Sequence, residues 1–274
     1  SAMETGPAPG AARAQRAQLR HARWVGYRTI VIREWGRIVR IWGQTLMPPA
    51  ITATLYFVIF GNLIGRRVGA MGGIDYVQYI APGLIMMSVI TNSYGNVVSS
   101  FFGAKFGRHL EELLVSPLPN WIILCGYVSG GLARGLTVGC VVTLVSLVFA
   151  HLSVHHLGVI LLAVVLTSVT FALGGFINAV FARNFDQVNF VPTYILTPLT
   201  YFGGIFYSIA MLPAWAQALS RANPILYMVN AFRYGMLGVS DIDIGVAYAI
   251  ILAFAAVLFT ACMVMIRRGS GIRS

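Results

Sequence analysis

The chain has 274 residues, of which 58% are apolar and only 10% are charged, against roughly 25% charged in an ordinary soluble domain. That composition excludes a soluble enzyme of usual make-up, and the scarcity of charge excludes a disordered chain. The net charge of +11 leaves a nucleic-acid partner or a membrane protein whose cations gather on one side, and the position of the cations decides between them.

In chain order, Ser1 to Met3 have the make-up of a tag-removal remnant, and residues 1–23 as a whole, rich in Ala, Arg and Gln, are expected to form a mobile basic tail. Trp24, Tyr27, Val31, Trp35, Ile38 and Trp42 then recur at three- and four-residue spacing, which is one face of a helix over 24–45. Arg33, Arg37 and Arg40 fall on the opposite side, so this is read as an amphipathic helix in the headgroup plane. Pro48 and Pro49 are expected to punctuate the turn into the first span.

Apolar runs follow at 46–64, 77–102, 121–150, 157–182, 190–208 and 244–266. Each predicts a membrane-spanning helix, since ~20 residues at ~1.5 Å rise cover the ~30 Å hydrocarbon layer. The expected fold is therefore an all-α integral membrane protein with six transmembrane helices over 46–266 and a short tail at 267–274. With both termini cytoplasmic, fourteen of the nineteen cations fall in inner segments and four in outer ones, while Arg134 lies within the third run. That distribution follows the positive-inside rule and accounts for the basic charge without nucleic acid.

Two connecting stretches are more than loops. In 103–119 the centre, Arg108 to Val115, predicts two helical turns stopped by Pro117 and Pro119, with Leu113 and Leu114 as an apolar knob beside Glu111 and Glu112. It reads as a docking plug or as an amphipathic loop resting on the membrane. In 209–240, Pro213 and Pro224 each can start a short helix, and persistent apolar character predicts half-helices that dip into the outer leaflet and return.

Catalysis has little support. The spans hold no pair of carboxylates, Asp75, Glu111, Glu112, Asp186, Asp241 and Asp243 fall in loops, and neither a phosphate-binding loop nor a nucleophile elbow is present. His151, His155 and His156 sit in the turn between the third and fourth runs without an evident third ligand, so no metal is expected. Cys125, Cys140 and Cys262 lie in apolar runs and predict no disulfide framework.

Polar stripes inside spans are more informative. Ser88, Asn92, Asn96 and Ser99 share one helix face, as do Asn189, Thr193, Thr197 and Thr200. Polar side chains facing hydrocarbon are costly, so both stripes face either a substrate conduit or neighbouring helices. Pro192 and Pro198 favour a bend in the fifth run. Gly126, Gly130, Gly131, Gly135 and Gly139 predict close helix packing in the third. Arg134, without an acidic partner in any span, must face a wet cavity or backbone carbonyls, unless its helix begins well inside the cytoplasm.

The stretch 196–237 resembles the C-terminal signature of ABC-2 type permeases, carried by Pro198-Leu199, Gly203-Gly204 with Phe206-Tyr207, Met211-Leu212-Pro213, Asn223-Pro224 and Arg233. IWGQTLMPP at 41–49, GLIMMSVITN at 83–92 and SSFFGAKF with EELLVSP over 99–117 are similar to bacterial YadH-like permeases. The resemblance implies the non-catalytic permease subunit of an ATP-driven exporter in the bacterial inner membrane. It implies a homodimer of six-span subunits bound to two copies of a separate cytoplasmic ATPase, which carries the ATP and Mg, while this chain binds no cofactor. It further implies an interface helix before the first span, re-entrant helices before the last, and a coupling helix at Arg108, Glu111, Glu112, Leu113 and Leu114, with Arg183 and Asp186 on the same inner surface. The two polar stripes would line the path for an amphiphilic, lipid-linked or polysaccharide-like substrate or drug. A stand-alone secondary transporter or channel is the alternative, and it would ordinarily carry several ionisable residues at the midplane.

Overall fold

A computed structural model describes residues 9–107 and 118–269. The expected coupling helix, Arg108 with Glu111, Glu112, Leu113 and Leu114, lies outside the described residues. The architecture is all-α apart from one two-residue β ladder. Helix α1 spans Pro9–Arg40 and breaks at Ile41 before α2, Trp42–Val68. The hairpin β1 (Ala70–Met71) and β2 (Ile74–Asp75) pairs antiparallel across Gly72 and Gly73, whose φ values of 59° and 82° suit the tight turn. Then come α3 (Tyr76–Phe106), α4 (Asn120–Phe149) and α5 (Leu157–Phe181). The stretch α6, 185–201, is built of pieces of seven, five and five residues. Two short helices, α7 (Ala214–Arg221) and α8 (Pro224–Leu237), precede α9 (Ile244–Arg268).

Among the described residues four helices, α2, α4, α5 and α9, are long and apolar enough to cross a bilayer. The other two apolar runs return in different form. The second is the 31-residue α3, diluted by its polar face and packed between α4 and α5 with most of its length buried. The fifth is the shorter, interrupted α6, because its prolines remove backbone donors. Pro192 cannot donate to Val188, whose carbonyl instead accepts from Asn178 Nδ2 at 3.0 Å. The chain widens into a π turn at Pro192–Leu196, where the Thr197 hydroxyl donates to the Pro192 carbonyl at 2.8 Å.

Two sequence expectations shift near the N-terminus. Helix α1 extends back to Pro9, so residues 9–23 are helical; Ala, Gln, Arg and Leu are good helix formers. The break falls at Ile41 rather than at Pro48 and Pro49, which sit inside α2 near its start. The stripe of α1 packs only in part, through Tyr27, Val31 and Ile38. Ile30, Glu34 and Ile38 are buried against the bundle, whereas Trp24, Trp35 and Trp42 are exposed beside that seam and Val31 is half-buried.

Two apolar clusters fill the interior. One lies at the hairpin end, around Tyr79, Leu84, Ile205 and most of α8. The other joins Phe101, Phe102, Tyr127 and Phe176 at the end where Lys105, Arg183, Arg267 and Arg268 gather, the arginine-rich end.

Candidate functional site

Glycines on α4 shape the seat of α1. A side chain at Gly126 would meet Ile30, and one at Gly130 would come within 2.9 Å of the Glu34 side chain. The small-residue spacing thus serves two neighbours, α1 through Gly126 and Gly130, and α3 with α5 through Gly131 and Gly135. Leu118, at the re-entry of the chain after the undescribed segment, packs on Gly26 of α1.

Into this seam α1 directs charge. Arg37 Nη2 donates to Asn96 Oδ1 at 2.7 Å and to the Asn96 carbonyl at 3.1 Å, and its Nη1 donates to the Ser99 hydroxyl at 3.3 Å. Glu34, only 2% exposed, lies 3.6 Å from Arg37 and accepts from the Ser100 hydroxyl at 2.5 Å. Arg33 donates to the Tyr127 hydroxyl at 3.2 Å, and the hydroxyls of Tyr27 and Ser129 are 2.7 Å apart. Arg33 and Arg37, on the side opposite the stripe by sequence, thus reach α4 and α3 through their side chains. The polar face of α3 supplies acceptors that outcompete water for the guanidiniums, and glycines on α4 leave room for them. Glu34 escaped the sequence reading altogether. Its signal was a lone acid one turn before Arg37 on a helix otherwise without carboxylates.

Arg134 completes the cluster from α4. It is half-buried and donates through Nη2 to Asn92 Oδ1 at 3.3 Å, one turn from Asn96 on the same face of α3. The group it meets is a side-chain amide rather than the backbone carbonyls considered from sequence. Ser88 turns back to the Leu84 carbonyl at 3.2 Å. Asn92 and Asn96 thus serve as inter-helix acceptors for two arginines.

The second stripe is placed elsewhere. Asn189, Thr193 and Thr197 are exposed on α6, and Thr200 is buried with its hydroxyl on the Leu196 carbonyl. Among the described residues no hydrogen bond joins the stripe of α3 to that of α6. Phe190, Tyr194, Ile195 and Phe202 are exposed on the same helix, an apolar face open on the single chain.

At the arginine-rich end, Lys105 caps α5 by donating to the Val180 and Ala182 carbonyls at 2.7 and 3.1 Å. Burial, then the neighbouring Arg183, lowers its pKa. Arg183 and Asp186 are exposed around the start of α6, where Asn184 caps the helix by accepting from the Gln187 N–H at 2.8 Å. Phe106 packs on Phe185 with ring centroids 5.5 Å apart, which sets this second loop beside the point where the undescribed segment begins.

At the hairpin end the signature residues converge. Arg233, 1% exposed, donates through Nε to the Tyr79 carbonyl at 3.2 Å and through Nη2 to the Gly204 and Ile205 carbonyls at 2.9 and 3.0 Å. Its guanidinium lies 4.0 Å above the Tyr79 ring. Asn223 caps α8 through the Ile225 N–H and donates to the Leu199 carbonyl at 2.7 Å, next to Pro198. Gly204 needs its φ of 74°, and a side chain at Gly203 would strike Ile225. Pro213 and Pro224 stand at the starts of α7 and α8. His155 and His156 donate their backbone N–H groups to the Gly235 carbonyl, and the His156 ring stacks on Tyr234.

Residues 26–237 match the family model described as ABC-2 type transporter. The chain is 54% identical over 254 residues to the inner membrane transport permease YadH of Escherichia coli K12, covering 93% of this chain and 99% of that protein. It is 23% identical over 215 residues to nodulation protein J of Rhizobium leguminosarum bv. trifolii, covering 78% and 82% of the two chains. With its apolar helices and these relatives, the chain belongs to the ABC-2 type transporter family, as an integral inner-membrane transport permease.

Proposed function

We propose that this chain is the permease half of an ATP-driven exporter, a six-span subunit with both termini in the cytoplasm. α3 and α6 supply the second and fifth crossings, α1 is the interface helix, and α7 and α8 are re-entrant. A homodimer of the chain works with two copies of a cytoplasmic ATPase that holds ATP and Mg. The exposed aromatic face of α6 suits the dimer contact. The cargo is an amphiphilic, lipid-linked or polysaccharide-like molecule or a drug, moved outward past the polar faces of α3 and α6.

The observation that carries the reading is the seating of α1. Its Glu34 and Arg37 are tied to α3 and its Gly26 rests on Leu118, directly after the coupling segment. A push delivered at Glu111 to Leu114 then passes from α1 to α3 through these polar contacts, and the contact that must differ between nucleotide states, as a population shift requires, is the one between the coupling segment and the ATPase. The test is Glu112→Arg combined with Leu113→Asp in the full complex. Loss of ATPase association and of cargo-stimulated hydrolysis is expected, and full retention of both would remove the docking assignment. Ion-gradient-driven flux through vesicles holding this chain alone would favour the stand-alone transporter instead.

A further inference from the structure

We infer that the cluster where Arg37 and Arg134 meet the polar face of α3 binds the anionic group of an amphiphile, a phosphate or carboxylate carried on an apolar tail. The inference rests on the exporter reading for its biological role, and the binding itself is measurable on the isolated chain.

Unspent hydrogen-bonding capacity points to this place. Among the described residues, Arg37 Nε, Asn96 Nδ2 and Arg134 Nε are buried N–H donors without acceptors, three against the single unpartnered acceptor of the cluster, Glu34 Oε2, and they come from three helices around the Asn92-to-Asn96 turn of α3. Buried donors are seldom left so, and each needs an oxygen. Charge points the same way. Among the described residues, Arg33, Arg37 and Arg134 approach this seam against one carboxylate, Glu34, which is 3.6 Å from Arg37. Among the described residues Arg134 has no carboxylate within ion-pair distance. Water would satisfy the donors and leave the excess positive charge in a low-dielectric setting, whereas an oxyanion supplies both acceptors and countercharge.

The edge of the cluster reaches the surface. The Arg37 side chain is 25% exposed, Ser99 is exposed, and Asn92 and Arg134 are half-buried, so a ligand reaches the covered donors by displacing the side chains at that edge. Because Arg134 stands near the middle of a helix that crosses hydrocarbon, a free inorganic anion would shed its hydration to arrive there. An anion with its own apolar tail is drawn to that depth.

Such a head group could come from a bilayer phospholipid or from exported cargo, and the chemistry is shared. The full chain is placed in phosphatidylcholine nanodiscs and titrated with dodecyl phosphate or with dodecyl maltoside, following tryptophan fluorescence. The charged probe is expected to bind roughly ten-fold tighter or more, the scale of one charge-assisted hydrogen bond. Arg134→Gln and Arg37→Gln are expected to erase that preference, and Arg134→Lys to keep most of it. Arg134→Met is expected to melt no lower than the parent, because it deletes a buried charge lacking a carboxylate partner; a purely structural arginine would leave a destabilised chain. Equal affinity for the two probes, or a preference unchanged in Arg134→Gln, overturns the inference.

With the ATPase present, dodecyl phosphate stimulating hydrolysis identifies cargo. Phosphatidylglycerol that competes without stimulation identifies a lipid, and either source supports the site. A chain that associates with the ATPase yet shows no anion preference defeats the site alone. A chain that prefers the anion yet never associates with an ATPase defeats the exporter reading alone.

Discussion

Arg233 holds three carbonyls that irregular backbone leaves available, those of Tyr79, Gly204 and Ile205. No other side chain type offers this fork, since lysine presents its donors from a single point. Each buried acceptor left without a donor costs ~1–3 kcal/mol, so Arg233→Leu is expected to destabilise the chain by about 3 kcal/mol or more, with Arg233→Lys in between. Melting of the detergent-purified protein measures it, and equal transitions for all three proteins would show that the clamp is dispensable. Sequence ranked Arg233 only as part of a motif and counted it among outer-loop cations, because its partners lie up to 154 positions away. Glu34 was illegible for a similar reason. One carboxylate among arginines reads as a solvated pair until a neighbouring helix covers it.

Among elements, α1 and its seat on α4 carry the proposed coupling. Gly126 brings α4 so close to Ile30 that an added Cβ would lie 3.0 Å from the Ile30 Cβ. Cysteines replacing both residues, in a background free of Cys125, Cys140 and Cys262, are therefore expected to cross-link under mild oxidation. If the Glu34–Arg37 seam makes α1, α3 and α4 one rigid body, the cross-linked complex keeps its ATP hydrolysis within about two-fold of the reduced form, a difference under ~0.5 kcal/mol. A collapse of hydrolysis that a reductant reverses would show instead that α1 slides on α4 during the cycle. Helix periodicity made α1, α7 and α8 legible as elements, and proline placed the irregularity of α6. Periodicity did not separate the packing side of α1, with Ile30, Glu34 and Ile38, from the exposed tryptophans beside it. The tryptophan stripe is its most apolar face, yet in a membrane protein such a face can remain against lipid while the polar face turns inward to find partners.

At the scale of the whole molecule, the distribution of cations predicts orientation. Val154, exposed in the turn between α4 and α5, and Leu19, exposed on α1, stand on opposite sides of the proposed membrane. In intact cells producing single-cysteine variants, a small membrane-impermeant maleimide is expected to label Val154→Cys and to spare Leu19→Cys until the inner membrane is opened. The reverse pattern would invert the topology. In the proposed orientation the arginine-rich end, with Lys105, Arg183 and the exposed Phe106 and Phe185, would face the cytoplasm, where the proposed ATPase would dock.

Sequence by itself determined that this chain lives in a bilayer, that it is helical, and that its C-terminal signature belongs to a transport permease. These properties are local or additive: apolar run length, proline and glycine punctuation, and fixed motif spacing survive in one dimension. Only the tertiary structure decided that Arg37 and Arg134 turn towards one polar face of α3, that Glu34 is buried beside them, and that the stripes of α3 and α6 are not joined. Those outcomes depend on which helices meet and at which glycines, and the energy of a buried charge is set by partners far along the chain.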